Sequence, residues 1–163
     1  MREILFRGKR MDNGKWAEGY LYEHEPALVG IVSENDVQEP SKWFIARTGF
    51  ADWNMPRPIG FVEVDPSTVG QYTGLKDKNG NLIFEGDIVH YLYEPGKGYW
   101  NSDQHSVIEW NSTGFYMRGI MGTNKYACST GWLVSTPHGN GKCFEVIGNV
   151  HDNPELLKEE AQP

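Results

Sequence analysis

Short runs of strand-forming residues, parted again and again by Asn, Asp and Gly, narrow the folds open to this chain more than any other feature. Asp12-Asn13-Gly14, Asp77-Lys78-Asn79-Gly80 and Asn111-Ser112-Thr113-Gly114 each separate two such runs. Asn and Gly tolerate the positive φ that tight hairpin turns demand, so each cluster reads as the tip of a hairpin. No long amphipathic segment is available to cover the faces of a parallel sheet. The pattern therefore predicts an all-β protein, a barrel or sandwich rather than a set of βαβ units.

The N-terminal region, residues 1–60, reads as a hairpin or small sheet. Its expected strands are Arg2 to Lys9, Trp16 to Tyr22, Ala27 to Val32 and Lys42 to Arg47. In the second of these Trp16, Glu18, Tyr20 and Tyr22 share one face, because side chains alternate along a strand. Thr48 to Pro58 has turn chemistry and closes the region. Residues 61–152 form a second part, opening with Phe61 to Val64 and a turn capped by Asp65 with Pro66 behind it. Strands follow at Val69 to Leu75, Asn81 to Phe84, Ile88 to Tyr93, Ser106 to Trp110, Phe115 to Arg118, Trp132 to Ser135 and Cys143 to Val150. The Glu85-Gly86-Asp87 corner leading into Ile88-Val89 resembles strand entries in small barrels, and a small SH3-like β-barrel is expected here. Residues 153–163 read as a short terminal helix and tail, with Asn153 as cap and Pro154 in the first turn.

The aromatic load suits this class: six Trp, eight Tyr and seven Phe pack well on pleated surfaces, and 19 Gly and 9 Pro supply turns. The net charge of −7 opposes docking on DNA or anionic lipid. Against that trend, Arg2, Arg7, Lys9, Arg10 and Lys15 form a small basic arm, while Asp152, Glu155, Glu159 and Glu160 make the chain's end acidic. No apolar run approaches the ~20 residues that span a bilayer. Only Ile4, Leu5 and Phe6 precede renewed charge, so no signal peptide is expected. Cys128 and Cys143 are accordingly expected as free thiols in a reducing cytoplasm.

Two stretches resemble a known family. One is Phe6-Arg7-Gly8-Lys9 with Asp12-Asn13-Gly14, Trp16 and Gly19-Tyr20. The other runs Val69-Gly70-Gln71-Tyr72-Thr73-Gly74-Leu75-Lys76-Asp77, Asn79-Gly80, then Ile83 and Phe84-Glu85-Gly86-Asp87-Ile88-Val89. Val146-Ile147-Gly148-Asn149-Val150 and Asn153-Pro154-Glu155-Leu156 complete it. Over about residues 2–157 the chain is similar to the YopX family, proteins of phages and prophages in Gram-positive bacteria. The resemblance implies an all-β fold, a phage or prophage origin and homo-oligomers, and it carries over no catalytic residue.

Candidate chemistry is sparse. Glu85, Asp87 and His90 could hold a divalent metal or act in acid/base chemistry. Asp87 and His90 fall on opposite faces of a strand, though, so turn capping is the preferred reading. Cys128, His138 and Cys143 lack the close Cys pair and the fourth ligand of a structural zinc site. His138 to Cys143 departs from a phosphate loop, since Cys143 stands where Ser or Thr belongs and a strand follows. No catalytic, cofactor-binding or metal residue is therefore assigned. Trp43, Trp53, Trp100 and Trp110, with neighbouring tyrosines, could stack single-stranded bases. The leading expectation is a non-enzymatic phage accessory protein that partners itself through its first 25 residues, with a phage or host protein as a further partner. The alternative is a nucleic-acid-binding module, and an enzyme using Asp87, His90 or His151 stands third.

Overall fold

The computed structural model describes residues 3–24, 40–52, 55–91, 105–119, 128–129 and 143–157. Their strands are β1 Phe6–Lys9, β2 Trp16–His24, β3 Lys42–Asp52, β4 Met55–Val64, β5 Gly70–Lys76 and β6 Leu82–Phe84. They continue with β7 Asp87–Tyr91, β8 His105–Asn111, β9 Gly114–Gly119, β10 Cys128–Ser129 and β11 Phe144–Asn149. Every strand pairing is antiparallel, and the helical structure described is confined to two 3₁₀ turns, Pro66–Thr68 and Pro154–Leu157. The protein is all-β. No helix among the described residues is long and apolar enough to cross a membrane. The expected strands Ala27 to Val32 and Trp132 to Ser135, and the His138 to Lys142 turn, lie outside the described residues.

The chain divides into two compact units, Ile4–Gln71 and a second that takes in Glu3 and the described residues from Tyr72 onward, so the division falls within β5. In the first unit the strands run β4-β3-β2-β1-β5. The β1–β2 hairpin pairs Phe6 with Gly19 and Lys9 with Trp16. Its loop is closed by Gly14 N donating to Arg10 O and Arg10 N to Lys15 O, both at 2.9 Å. Alternation sends Phe6, Ala17, Leu21, Trp43, Ile45, Val62 and Val64 to one side, where they pack together with Val69. Gly19 permits that packing: a Cβ there would sit 2.3 Å from the Ala46 carbonyl oxygen. The end of β4 meets the end of β1 through an Arg10–Val64 bridge, with Met11 N donating to Glu63 O at 3.0 Å and Asp65 N to Lys9 O at 2.8 Å. Asp65 caps the 3₁₀ turn as expected, accepting from Ser67 N at 2.9 Å.

Thr48 to Pro58, expected as turns, is instead mostly strand: β3 and β4 form one long hairpin, whose register shifts between Arg47 and Thr48 and again between Phe50 and Asp52. Such bulges absorb residues that a regular ladder would reject. Among the described residues β4 pairs there with β3 alone, which leaves Pro56 and Pro58 a side where no ladder N–H is required. Phe61 to Val64 is accordingly the end of β4.

In the second unit β5 pairs onward with β6, and a separate sheet runs β10-β9-β8-β7-β11. Ile83, Val89, Ile108, Phe115, Cys143 and Phe144 are buried together, with Leu75, Met117 and Val146 against them. Among the described residues no pairing joins β10 to β11, so the sheet is not seen to close into a barrel. The β5–β6 connection differs from a two-residue turn. Asp77 N donates to Asn81 O at 2.8 Å and Gly80 N to Asp77 O at 3.0 Å, so three residues make the loop, with Gly80 at φ 88°. This is the type I turn plus left-handed glycine of a three-residue hairpin.

The described C-terminal helix is a single 3₁₀ turn, Pro154–Leu157, in place of the start of an α-helix. Asn153 precedes it and its carbonyl accepts from Leu156 N at 3.1 Å, but its side chain is engaged elsewhere. Its Oδ1 accepts from Asn149 N at 3.3 Å, and its Nδ2 donates to Glu155 at 3.2 Å. The side chain is committed to the turn before it, leaving the next turn's donors without it.

Candidate binding face

The side of the β2-β3-β4 sheet opposite the first unit's core is aromatic and open. Registers Tyr20↔Ala46, Tyr22↔Phe44 and His24↔Lys42 continue into Ala46↔Phe61 and Phe44↔Glu63, so all these residues share one face. Tyr20, Tyr22 and Phe61 are exposed by 48%, 49% and 57%. They are not scattered: the Tyr22 ring lies 5.8 Å from Phe61, 6.5 Å from Phe44 and 6.3 Å from His24, centroid to centroid. Single exposed apolar residues are ordinary, whereas a contiguous group on one strand face makes this the candidate interaction surface.

Charge of both signs surrounds the rings. On β1 the Arg7 guanidinium sits 4.7 Å from the Trp16 ring centroid and Lys9 Nζ 5.5 Å, both within cation–π range. Lys42 and the carboxylates of Glu18 and Glu63 share the same face by register. At the hairpin tip the Arg10 guanidinium grips Asp12 at 2.6 Å and 2.9 Å, which holds the Asp12 carboxyl below its ordinary range and raises Arg10. Part of the basic arm is thereby neutralised within itself.

The other sequence candidates are dispersed. Asp87 is buried and accepts from Phe84 N at 2.7 Å, closing the corner before β7. His90 faces His105 across β7 and β8. Cys143 is a free thiol, and burial pushes its pKa up. Cys128 lies on β10, and His138 falls outside the described residues. Trp43 packs against the first unit's core instead of standing ready to stack bases. Trp110 is exposed, with its ring 4.9 Å from Phe115. Trp53 and Trp100 lie outside the described residues. His151 is exposed, and its backbone N–H donates to Asn149 Oδ1 at 3.0 Å.

Phe44 and Phe61 were not among the sequence candidates. The alternation Lys42, Phe44, Ala46 carried the signal for Phe44. Phe61 could be placed only once β4 was known to extend back through Pro58.

Fold and face together define an all-β protein, antiparallel throughout its described strands, with an exposed aromatic patch on one sheet face. A family model, YopX protein, matches residues 5–158. The chain belongs to the YopX family. It is also similar to the crystal structure of protein EF1440 from Enterococcus faecalis, with 23% identity, a TM-score of 0.50, and coverage of 97% of this chain and 100% of that one. That likeness speaks for a shared fold. No curated protein matches the chain.

Proposed function

We propose that this is a non-enzymatic phage or prophage accessory protein of the host cytoplasm, acting as a homo-oligomer whose subunits meet through the aromatic face of β2, β3 and β4. The observation that carries this reading is the contiguous exposure of Tyr20, Tyr22 and Phe61. A second copy is favoured as occupant because the face is self-complementary in charge. Arg7, Lys9 and Lys42 share this face with Glu18 and Glu63, so a two-fold pairing can set each sign against its opposite. Membership of the YopX family supports the phage origin. The second unit is read as a small SH3-like barrel, supported by its antiparallel order and the bulge between Val146 and Gly148, a device that bends strands toward closure. Hydrogen bonds and ion pairs that tie up Asp77, Glu109 and Glu145 support a non-enzymatic role.

The nucleic-acid reading stays as the alternative, favoured by Arg7 and Lys9 over Trp16 beside two exposed tyrosines, since cation and ring together suit unpaired bases. Light scattering at ~100 μM, where even a micromolar contact is populated, separates the two when run with and without short oligonucleotides. Oligomers indifferent to oligonucleotide support self-association. A monomer that gains mass with oligonucleotide, and loses it in high salt, supports the alternative.

A further inference from the structure

The second unit carries a pair of imidazoles that the proposed function does not use. His90 on β7 and His105 on β8 are direct cross-strand partners, so their side chains leave the sheet on the same side. Their ring centroids are 5.5 Å apart and the planes meet at 67°. Each ring is half-buried, above a floor made by the next residues along the same face, Ile88 and Val107, which are fully buried. Glu145, the register partner of His90 on β11, is on the same side, where it pairs with Lys78 at 2.7 Å.

We propose that His90 and His105 form a two-imidazole chelate for a divalent late first-row transition ion, the class of Zn²⁺, Ni²⁺ and Cu²⁺. Imidazole nitrogen suits these ions, and oxygen-seeking Mg²⁺ and Ca²⁺ are not taken. With a metal–nitrogen bond of about 2.1 Å and a tetrahedral angle, two ligating imidazole rings have centroids roughly 5.2 Å apart. The separation of 5.5 Å in the protein is within a small side-chain adjustment of that figure. Histidine χ2 is a broad torsion, so turning the ring nitrogens toward one ion costs little. The apolar floor lowers the local dielectric beneath the ion and limits competing water on that side. No group of three His, Cys, Asp or Glu side chains among the described residues is arranged to hold a metal. Water completes the coordination, which makes the bound ion exchangeable and able to accept a donor from a ligand or partner.

The test uses the full chain without an affinity tag, titrated calorimetrically with Zn²⁺ and Cu²⁺. One saturable site is expected, weakened at least tenfold in each of His90→Ala and His105→Ala and unchanged in His151→Ala. Substoichiometric Cu²⁺ added to the unaltered protein gives a reading that does not depend on variants folding: it should broaden the His90 and His105 ring proton resonances before those of the other histidines. No saturable binding below about 1 mM, which is the weak end of specific association, would overturn the proposal. So would binding that survives both substitutions, or broadening centred on other histidines.

Discussion

The Tyr22 ring on β2 and the Phe61 ring on β4 meet at 5.8 Å across the intervening β3, although each side chain is about half exposed. Rings from three adjacent strands thus converge on the solvent side of a sheet whose other side already provides the core. Since these rings fill no cavity within the first unit, replacing them should hardly disturb folding. Tyr22→Ser with Phe61→Ser is predicted to change unfolding free energy by less than about 1 kcal/mol, the scale of surface substitutions. The check is urea denaturation at low protein concentration. A loss above ~2 kcal/mol would mean that the rings pack as core.

Gly19 should be far less forgiving. A Cβ at this position meets the Ala46 carbonyl oxygen at 2.3 Å and the Ile45 side chain at 3.0 Å. Backbone cannot retreat cheaply in a paired strand, so Gly19→Ala is predicted to cost ~1–3 kcal/mol. Thermal melting of the purified variant checks it, and an unchanged midpoint would show that β2 and β3 are spaced more widely than described.

At Gly80 the surroundings are empty and the backbone alone decides. Nothing lies within 4 Å of a Cβ placed there, but φ is 88°. Gly80→Val is predicted to destabilise by ~1 kcal/mol or more, and Gly80→Asn by less, since Asn enters the left-handed region more readily. Equal melting temperatures for the two variants would contradict the turn assignment.

Asp77 provides the pH dependence. Burial works against its charge, but donors from the Asn81 backbone and side chain, Val146 N and Asn79 N together outweigh it and hold the carboxyl below its ordinary range. A group whose folded pKa is depressed adds stability above its unfolded value, about 3.9 for Asp, and that stability is lost as pH falls through the lower folded value. Asp77→Asn should therefore cost ~1–3 kcal/mol near neutrality, where an amide N–H₂ would face other donors. The gap from the unaltered protein should shrink toward pH 2. A gap independent of pH would refute the role.

What the sequence showed, and what it hid, follows the range of the interactions involved. The hairpin turns at Gly14, Gly80 and Gly114 and the shared face of Trp16, Tyr20 and Tyr22 were legible, because both depend on neighbours in the chain. The β3–β4 hairpin was not. Its Gly and Pro residues read locally as turns, while its strand state depends on long pairing with β3 and on two bulges that only the partner strand defines. The 3₁₀ turn at Pro154 was missed for a similar reason, as Asn153 was already engaged by Asn149. Phe61 and the His90–His105 pair needed register, which no local pattern supplies.

Self-association through the aromatic face is tested most directly by sedimentation equilibrium of the full chain beside a variant carrying Tyr20→Glu, Tyr22→Glu and Phe61→Glu. All three positions are exposed, so the variant should keep the circular dichroism of the unaltered protein. At ~100 μM, where micromolar contacts are filled, the unaltered chain should sediment as a closed oligomer and the variant as a monomer. A monomeric unaltered chain, or a variant that assembles to the same mass, would contradict the account.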